Sequence, residues 1–576
     1  MKTGWLPFLK SLFLKHPFLF WFVYSAVLFL LTHYFIGNYY EVYEFMHPAL
    51  LSGKLMDGVP GDLTYPIVNI GLAHLYLWLY TLSANTPWYD GLMAITFILS
   101  TAVIFTSLAI TLRPKTNTAV LIFFNTSIFF LFLADQIINW NITRTAFLTC
   151  IAAFVWFALV VIPQKLSRQN LLPLFLTGLL FTLGTIIRPE TGELILLLAI
   201  GYLLLCYGLK KEVWLKSLPL FIPVLLIAGY VAYDRHTSTE FYMQVEPATD
   251  YQINIGNTIS ITEMKTTEDS MKYVALRAGI INDPSKISTA FIKRVAGNRS
   301  MFVFNSTNFY RAVTILQQSI KDSYPMFLVN LILLGIGIIF LWATPSALVR
   351  LLLFQLFFWS LIFGITYFMI MENRLFSPLL FFAAMAGILF LCQHNFHQVL
   401  HQQKSYGYTL SILFLAVTMA QLFSLQNTSV KYQADIKTNH LVYEQLKKEA
   451  AHKIIAPDTY TFMVIFFNNF LPFQTPDFSI FKKIFLLDIE SLSLKPAYRT
   501  FLNNNCHCNS THIEELYDYL YDHRQEVVLV GNAKRIHLFE SYLKIVHHRA
   551  YSFTLLTTLP AGATAETTHL STFQLH

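Results

Sequence analysis

The sequence predicts a polytopic α-helical membrane protein that ends in a small exported α/β domain. Of its 576 residues, 55% are hydrophobic and only 13% are charged, about half the charged share of a soluble protein. Apolar runs of about 17–25 residues, each long enough to cross about 30 Å of hydrocarbon as a helix, recur from Phe18 to Phe423 and then stop. Residues 424–576 have the composition of a soluble domain.

The first apolar run, Phe18–Ile36, is predicted to be a retained membrane span. It follows Lys2, Lys10 and Lys15, but it is too long for the core of a signal peptide and no small-residue cleavage site follows it.

The second apolar run, Ile67–Leu82, is predicted to lie along the outer membrane surface without crossing. If it crossed, the basic residues of three later loops would lie outside, against the positive-inside rule. With this run on the surface, all of them become cytoplasmic, and so do Arg350 and Lys404, which played no part in the assignment. The three basic clusters are Arg113 with Lys115, Lys165 with Arg168, and Lys210, Lys211 and Lys216.

Eleven spans follow, with the N-terminus in the cytoplasm and the tail outside. The transmembrane domain is residues 1–423, with exported loops at 37–87 and 234–325, and the exported domain is residues 424–576. The predicted spans are Phe18–Ile36, Trp88–Leu112, Ala119–Asp135, Ala146–Ile162, Leu171–Ile187, Leu194–Leu209, Leu218–Tyr233, Met326–Ala343, Leu348–Met371, Leu375–Cys392 and Tyr408–Phe423.

The tail is predicted to alternate helices and strands. Thr511 and Glu514 have the spacing of a capping box at the start of one helix. The tail contains no glycine-rich phosphate loop, so no nucleotide site is expected. The predicted elements are a helix at Lys431–Lys448, a helix at Ile513–His523, a strand at Glu526–Val530, a turn at Gly531–Asn532, a helix at Ala533–Ile545 and a strand at Ala550–Leu556.

Three short outer turns each carry an arginine: Arg144, Arg188 and Arg374. Arginine is the cation that the positive-inside bias removes from such turns, and its planar fork suits phosphate oxygens. We therefore predict a substrate-binding role for these arginines and for Glu190. The alternative is that Arg188 pairs locally with Glu190 or Glu193 and anchors the helix ends.

The exported loop from Asn38 to Pro66 supplies the candidate general bases, Glu41, Glu44, Asp57 and Asp62. A carboxylate near a desolvated cleft can take a proton from a hydroxyl or an amine. Glu41 and Glu44 are three residues apart and would share one face of a helix, whereas Asp57 and Asp62 lie among turn-forming glycines and prolines. The alternative is a solvated surface helix.

In its order of motifs the chain resembles the GT-C superfamily of membrane glycosyltransferases, which includes aminoarabinose and protein O-mannosyl transferases. The loop sequences that carry the resemblance are YYEVYEFMHPALLSGKLMD and YPIVNIGLAHLYLWLY, followed by IIRPETG and NRLFSPLL. Aligned on Ser52-Gly53, the loop has Asn38 where the family has its leading catalytic aspartate. Asparagine cannot take a proton, and Glu44 falls on a family acidic position.

The resemblance implies a glycosyltransferase that moves a sugar from a polyprenyl-phosphate donor to a lipid, glycan or protein acceptor at the outer face of a bacterial inner membrane. Arg144, Arg188 and Arg374 would hold the donor phosphate, and Glu41 or Glu44 would deprotonate the acceptor. No resident cofactor is implied, and a divalent metal ion is compatible with the chemistry. The alternatives are a lipid or glycolipid transporter or flippase, and a non-catalytic assembly protein on the same scaffold.

Two other functional classes are disfavoured by the residues. The net charge of +7 comes largely from short inter-helix loops that set orientation, so no nucleic acid is expected as a partner. Cys506 and Cys508, with His507 and His512 nearby, could in principle bind zinc. Their spacing is not the usual Cys-x-x-Cys, so free or oxidised loop thiols are favoured and no metal site is predicted.

Overall fold

The computed structural model describes fewer residues than the sequence has. The described residues are 15–41, 44, 48, 51–52, 70–112, 117–165, 171–237, 266–277, 286–288, 291, 306–342, 344–368, 373–394, 404–462, 471–474, 484–487, 496–508, 513–559 and 570–576. Asp57, Asp62 and Thr511 lie outside them.

The chain divides into two compact units. The bundle unit comprises Met1–Glu41, Asp90–Val231 and Ser306–Ser429. The sheet unit comprises Val42–Tyr89, Ala232–Asn305 and Val430–His576. In chain order the elements are α1 (Pro17–Phe35), β1 (Tyr39–Tyr40), α2 (Ile70–Leu82), α3 (Trp88–Leu112), α4 (Thr118–Ile138), β2 (Asn139–Trp140), α5 (Ile142–Val161), α6 (Leu171–Ile187), α7 (Pro189–Tyr207), α8 (Lys211–Thr237), α9 (Thr267–Arg277), α10 (Ser306–Asp322), α11 (Tyr324–Leu341), α12 (Pro345–Phe368), α13 (Asn373–Gln393), α14 (Lys404–Ala450), β3 (Ile454–Pro457), α15 (Thr459–Phe462), α16 (Pro496–Cys506), α17 (Ile513–Asp522), β4 (Val527–Asn532), α18 (Ala533–Val546), β5 (Phe553–Thr558) and β6 (Leu570–Leu575).

The bundle unit confirms the predicted class, a polytopic helical membrane protein. Within the described residues, nine helices are long and apolar enough to cross a membrane: α1, α3, α4, α5, α7, α8, α11, α12 and α13. The helix α6 is apolar but shorter, as is α2 in the sheet unit. The long helix α14 contains the predicted eleventh span and continues through the charged stretch that follows it.

The ends of these helices follow from their sequences. The Asn141 side chain accepts a hydrogen bond from the backbone N–H of Thr143, 2.7 Å away, and so caps the N-terminus of α5. Pro189 occupies the first turn of α7, where a missing N–H costs nothing. After α1 the chain turns at Gly37, whose φ of +114° favours glycine.

The helices α5 and α13 form the centre of the bundle unit. In each of them 89% of the most apolar 18-residue stretch is buried, against 22% of the corresponding stretch in α12. The helix α5 packs against α6, α7 and α13. Gly184 of α6 permits a close approach, because a Cβ there would come 3.0 Å from the carbonyl oxygen of Ala146 in α5.

The sheet unit contains a four-stranded sheet in the order β3-β4-β6-β5. The strands β3 and β4 are parallel, with Ile454 opposite Val527, and the other two pairings are antiparallel. The helix α18 packs against β4 and β5, and α9 packs against α18.

The predicted helices and strands of the tail are present, with shifted ends. The predicted turn at Gly531–Asn532 is wrong, because β4 continues through both residues and the Asn532 side chain then caps α18, accepting from the N–H of Lys534 at 2.9 Å. The strands β3 and β6 were not predicted. Each is short and pairs with β4, which lies far away in sequence or beyond another element.

Candidate functional site

A short parallel ladder joins the segments that follow α1 and α4. Tyr39 lies opposite Asn139 and Tyr40 opposite Trp140. The ladder is extended by a hydrogen bond of 3.0 Å from the N–H of Glu41 to the carbonyl oxygen of Trp140. Glu41 therefore follows a strand, and this pairing carries it towards the first turn of α5.

Arg144, in that first turn, is held between two carboxylates. Its Nε and Nη2 donate to Glu41 Oε2 and Oε1 at 2.7 and 3.1 Å, and its Nη1 donates to Asp135 Oδ2 at 2.5 Å. Ser377 Oγ donates to Asp135 Oδ2 at 2.9 Å, and Asn139 Nδ2 donates to Asp135 Oδ1 at 2.8 Å. We call these five residues the carboxylate cluster.

The carboxylate cluster is buried but not sealed. The side chain of Arg144 is 3% exposed, and those of Glu41 and Asp135 are 12% and 16% exposed. With all three groups ionised, two carboxylates and one guanidinium leave a net charge of −1. A buried charge persists only when it is paired and hydrogen-bonded, and the partly exposed edges of both acids are where a proton could be accepted.

A further carboxylate supports the ladder. Asp90, at the start of α3 and 1% exposed, accepts hydrogen bonds from Tyr40 Oη at 2.7 Å and Trp140 Nε1 at 3.0 Å. Asp90 of α3 thus hydrogen-bonds one residue of each strand. These contacts stabilise the register in which Glu41 lies against Arg144.

Helix geometry places Arg188 at the same level of the bundle unit. Gly184 of α6 meets Ala146 of α5. Arg144 precedes Ala146 by two residues and Arg188 follows Gly184 by four, so at about 1.5 Å per residue both arginines lie within about 6 Å of that crossing along the helix axes.

Arg374 reaches the same level through α13. It precedes Ser377 by three residues, about 4.5 Å of helix rise, and Ser377 donates to Asp135. The three arginines chosen from the sequence are therefore brought to one end of the bundle unit.

The surroundings of Arg188 differ from those of Arg144. Arg188 has extended backbone at the N-cap of α7, and its Nε lies 3.5 Å from Glu190 Oε2. Its side chain is 22% exposed, yet its Nη1 atom is buried and makes no hydrogen bond within the described part of the chain. The local pair with Glu190 exists, but it leaves donors of the guanidinium unused, whereas Arg144 contacts carboxylates through all three nitrogens.

The predicted acids separate. Glu44 belongs to the sheet unit, where it is 3% exposed and accepts a short hydrogen bond from the hydroxyl of Tyr89. Glu41 belongs to the bundle unit and is not helical, so the expected shared helix face is not formed. The placements of Asp57 and Asp62 lie outside the described residues, and the roles predicted for all four acids stay predictions.

Asn38, at the position of the family's aspartate in the resemblance, is 4% exposed. Neither its side-chain oxygen nor its nitrogen has a hydrogen-bond partner among the described residues. A buried amide without hydrogen-bond partners costs free energy. Asn38, directly before β1, is therefore an unfavourable polar side chain in a packed region.

The described residues contain no group of three or more histidine, cysteine, aspartate or glutamate side chains that could hold a metal ion. Cys506 and Cys508 are joined as a disulfide. The sequence left free and oxidised thiols open, and the structure has the oxidised form, in which these sulfurs are not thiolates.

Comparison with protein-family models finds no match to this chain. A search of curated proteins likewise finds no similar sequence.

Asp135, Ser377 and Asp90 are not among the site residues predicted from the sequence. Asp135 and Asp90 carried a usable signal, because each is an acid at the end of an apolar run, where an ionisable group is costly and usually has a partner or a function. Ser377 carried no such signal, since serine occurs in apolar helices for many reasons.

Proposed function

We propose that this protein is a glycosyltransferase that uses a polyprenyl-phosphate sugar at the outer face of the membrane. The observation that carries the proposal is the carboxylate cluster, which has a net negative charge. Measured along the helix axes, it lies within about one helical turn of the level of Arg188, whose Nη1 has no hydrogen-bond partner among the described residues. A proton acceptor next to a phosphate-binding cation is what transfer from a sugar phosphate requires.

In the proposed reaction an acceptor hydroxyl or amine attacks the anomeric carbon of the donor sugar. A bond from that carbon to the acceptor forms, and the bond from the carbon to the phosphate oxygen breaks. The acceptor proton passes to a carboxylate, and the carrier departs as a polyprenyl phosphate. No oxidant or nucleotide is consumed.

Asp135 is the favoured proton acceptor within the cluster. Both oxygens of each acid accept hydrogen bonds, those of Glu41 from Arg144 and those of Asp135 from Arg144, Ser377 and Asn139. Exposure therefore decides between them, and Glu41 is assigned as a positioning residue. Asp135 is the more exposed of the two side chains. Glu44, hydrogen-bonded to Tyr89, is kept as a second candidate base, as the resemblance implies.

The phosphate role fits Arg188 better than Arg144. The guanidinium of Arg144 is saturated by carboxylates and would have to release one to bind an anion. Arg188 needs to give up only a 3.5 Å contact with Glu190, and its buried Nη1 has no hydrogen-bond partner in the part of the chain that the structure describes. Arg374 remains the second predicted phosphate ligand.

A topology of eleven crossings is part of the proposal, and the sheet unit supports it. Its three segments, residues 42–89, 232–305 and 430–576, form one compact unit and overlap the segments predicted to be exported. A water-exposed unit lies on one side of a membrane, so the chain crosses an even number of times each time it leaves and returns. Between the first two segments the described residues contain five long apolar helices, α3, α4, α5, α7 and α8. An even number of crossings therefore requires the shorter helix α6 to cross as well.

The same parity requires α14 to cross together with α11, α12 and α13. Its first 26 residues, Lys404 to Ser429, span about 39 Å as a helix, more than the hydrocarbon thickness. Ser429 Oγ lies 3.1 Å from Tyr39 Oη and also bonds the carbonyl oxygen of Ile36. The helix α14 thus reaches the end of the bundle unit where α1 ends, and α1 adds the eleventh crossing.

The direct test is release of the carrier. The purified protein in lipid is incubated with polyprenyl-phosphate sugars, and free polyprenyl phosphate is measured by mass spectrometry. We expect Asp135→Asn to lower the rate about 10²–10⁴-fold, as for loss of a general base, and Arg188→Gln about 10²–10³-fold, as for loss of a charge-stabilising donor. Arg350→Gln, an exposed arginine predicted to be cytoplasmic, is the matched control and should retain the wild-type rate.

Lipid binding without chemistry, as in a flippase or an assembly protein, is the second candidate. The saturation of Glu41 and Arg144 by each other favours it, because such a pair is also a stable structural element. No release from any donor, together with donor binding that depends on Arg188, would support this second function and reject the transferase.

A further inference from the structure

Arg311, in α10, was not selected from the sequence and has an unusual environment. Its Nη2 donates to the carbonyl oxygen of Tyr367 near the end of α12, at 3.0 Å. Its Nε and Nη1 are buried and have no hydrogen-bond partner within the described residues. No acidic side chain in that part of the chain forms an ion pair with it, so two of its three nitrogens lack a counterpart.

An anion would supply the hydrogen-bond acceptors that Nε and Nη1 of Arg311 lack among the described residues. Burial lowers the pKa of Arg311 from its ordinary value, yet arginine remains charged at neutral pH. Buried donors of a cation that have neither a carboxylate nor another acceptor are costly, and this holds for Nε and Nη1 within the described residues. A planar guanidinium with two open nitrogens matches the oxygens of a phosphate.

The helix α10 has the residues of a membrane-interface helix. Phe309 and Tyr310 are 46% and 70% exposed, and Tyr324, which is 57% exposed, opens the apolar span α11 directly after α10. Exposed aromatic side chains next to the end of a span are typical of the headgroup level. At that level the abundant anions are the phosphates of lipids.

The packing of α10 provides an apolar surface beside Arg311. The ring of Phe309 lies 5.6 Å from that of Phe363 in α12, and the Phe363 ring lies 6.3 Å from that of Tyr367. The same residue, Tyr367, supplies the carbonyl that orients the guanidinium. A phosphate on the open side of Arg311 would therefore have aromatic rings close by, against which an attached acyl or isoprenoid chain could pack.

From these contacts we propose that Arg311 binds the phosphate of a membrane lipid at the junction of α10 and α12. The inference deepens the proposed function, on which the identification of that lipid as the phosphate-bearing carrier of the donor rests. The shared chemistry is a lipid phosphate, and a polyprenyl phosphate and an ordinary anionic phospholipid are its two sources.

The structural alternative is that Arg311 only caps the C-terminal end of α12, where a cation near the last carbonyls is favourable. A cap uses one donor, and lysine can supply it. Recognition by two nitrogens of a planar fork cannot be reproduced by lysine. Arg311→Lys therefore separates the two roles, since it preserves the charge and the cap but removes the fork.

The experiment measures lipid binding to the full-length protein by native mass spectrometry after reconstitution. The probes are a long-chain polyprenyl phosphate, the corresponding neutral polyprenol, phosphatidylglycerol and inorganic phosphate. The variants are Arg311→Gln, Arg311→Lys and, as the control, Lys321→Gln, which removes an exposed cation from the same helix. Thermal unfolding of each variant establishes that it is folded.

We expect Arg311→Gln and Arg311→Lys each to weaken binding of a lipid phosphate at least 10-fold, with polyprenol binding and the Lys321→Gln control unchanged. Loss confined to polyprenyl phosphate assigns the donor carrier, and loss confined to phosphatidylglycerol assigns a structural lipid. Equal binding by wild type and both Arg311 variants, or binding of inorganic phosphate as tightly as of the lipids, would overturn the proposal.

The carrier-release assay keeps this inference separate from the proposed transfer. If no sugar donor is cleaved but lipid phosphate binding depends on Arg311, the transferase fails and the lipid site stands. If donors are cleaved and neither binding nor release changes in Arg311→Gln, the transferase stands and the lipid site fails.

Discussion

The pairing of Arg144 with two acids makes a quantitative prediction about charge balance. Arg144→Gln leaves Glu41 and Asp135 without their cation, and the cluster charge goes from −1 to −2. Glu41→Gln brings the charge to zero and leaves Arg144 paired with Asp135. Breaking a buried pair from the cationic side should destabilise the fold by about 3–5 kcal/mol, because all three side chains are less than one-fifth exposed. Glu41→Gln should cost about 1–3 kcal/mol.

The assay is equilibrium unfolding of the purified protein in mixed micelles, with tryptophan fluorescence as the signal that reports unfolding. The matched control is Arg350→Gln, which replaces an exposed arginine. It should change stability by no more than about 0.5 kcal/mol. The double variant Glu41→Gln with Arg144→Gln completes a mutant cycle. We expect it to be less destabilised than the sum of the single variants by about 0.5–3 kcal/mol, since contacting residues are coupled.

Two results would refute this reasoning. One is an Arg144→Gln variant no less stable than Glu41→Gln, which would mean that the guanidinium does not neutralise both acids. The other is strict additivity in the cycle, which would mean that the contacts of 2.7 and 3.1 Å between these side chains carry no net interaction energy.

Three further predictions concern other parts of the chain. Burial raises the pKa of the Asp435 carboxyl, so its ionised form is disfavoured in the fold and stability falls as pH rises through that raised pKa. Asp435→Asn should therefore raise the melting temperature at pH 7 and leave it unchanged near pH 4, and an equal gain at both pH values would contradict this. Gly184→Ala places a Cβ 2.5 Å from a sulfur atom of α5 and should cost about 1–3 kcal/mol, whereas Gly364→Ala, with nothing within 4 Å, should be neutral or stabilising when both are compared by unfolding. In a background without free cysteines, a membrane-impermeant maleimide should label Lys448→Cys but not Ser346→Cys in intact cells, and the reverse pattern would invalidate the proposed topology.

The positions of the helices could be predicted because a span needs only local information. An apolar run such as Trp88–Leu112 is long enough to cross a membrane by itself, and the structure has a helix with the same bounds. The predicted ends of the helices were less accurate where polar residues continue a helix beyond its apolar run. The span predicted to begin at Leu194 begins at Pro189 in α7, because proline and the following acid suit a first helical turn even though they are not apolar.

The candidate site was only partly predictable, because its contacts join residues that are far apart in sequence. Composition singled out Glu41 and Arg144, but their pairing depends on the ladder between β1 and β2, which spans 100 positions of the chain. Asp135 and Arg188 were both visible as charged residues at the ends of apolar runs. Which of the arginines is saturated and which has unused donors is decided by the packing around each one.

The sequence by itself determined that this is a polytopic helical membrane protein with arginines and acids at the ends of its spans, since the hydrophobic length and the cost of a charge in lipid act on each segment separately. Only the tertiary structure decided that Arg144 is bound by Glu41 and Asp135, that Glu44 belongs to another unit, and that Arg311 has buried nitrogens without partners among the described residues. These outcomes depend on which ends of which helices meet, and that is set by the close packing of the whole bundle unit.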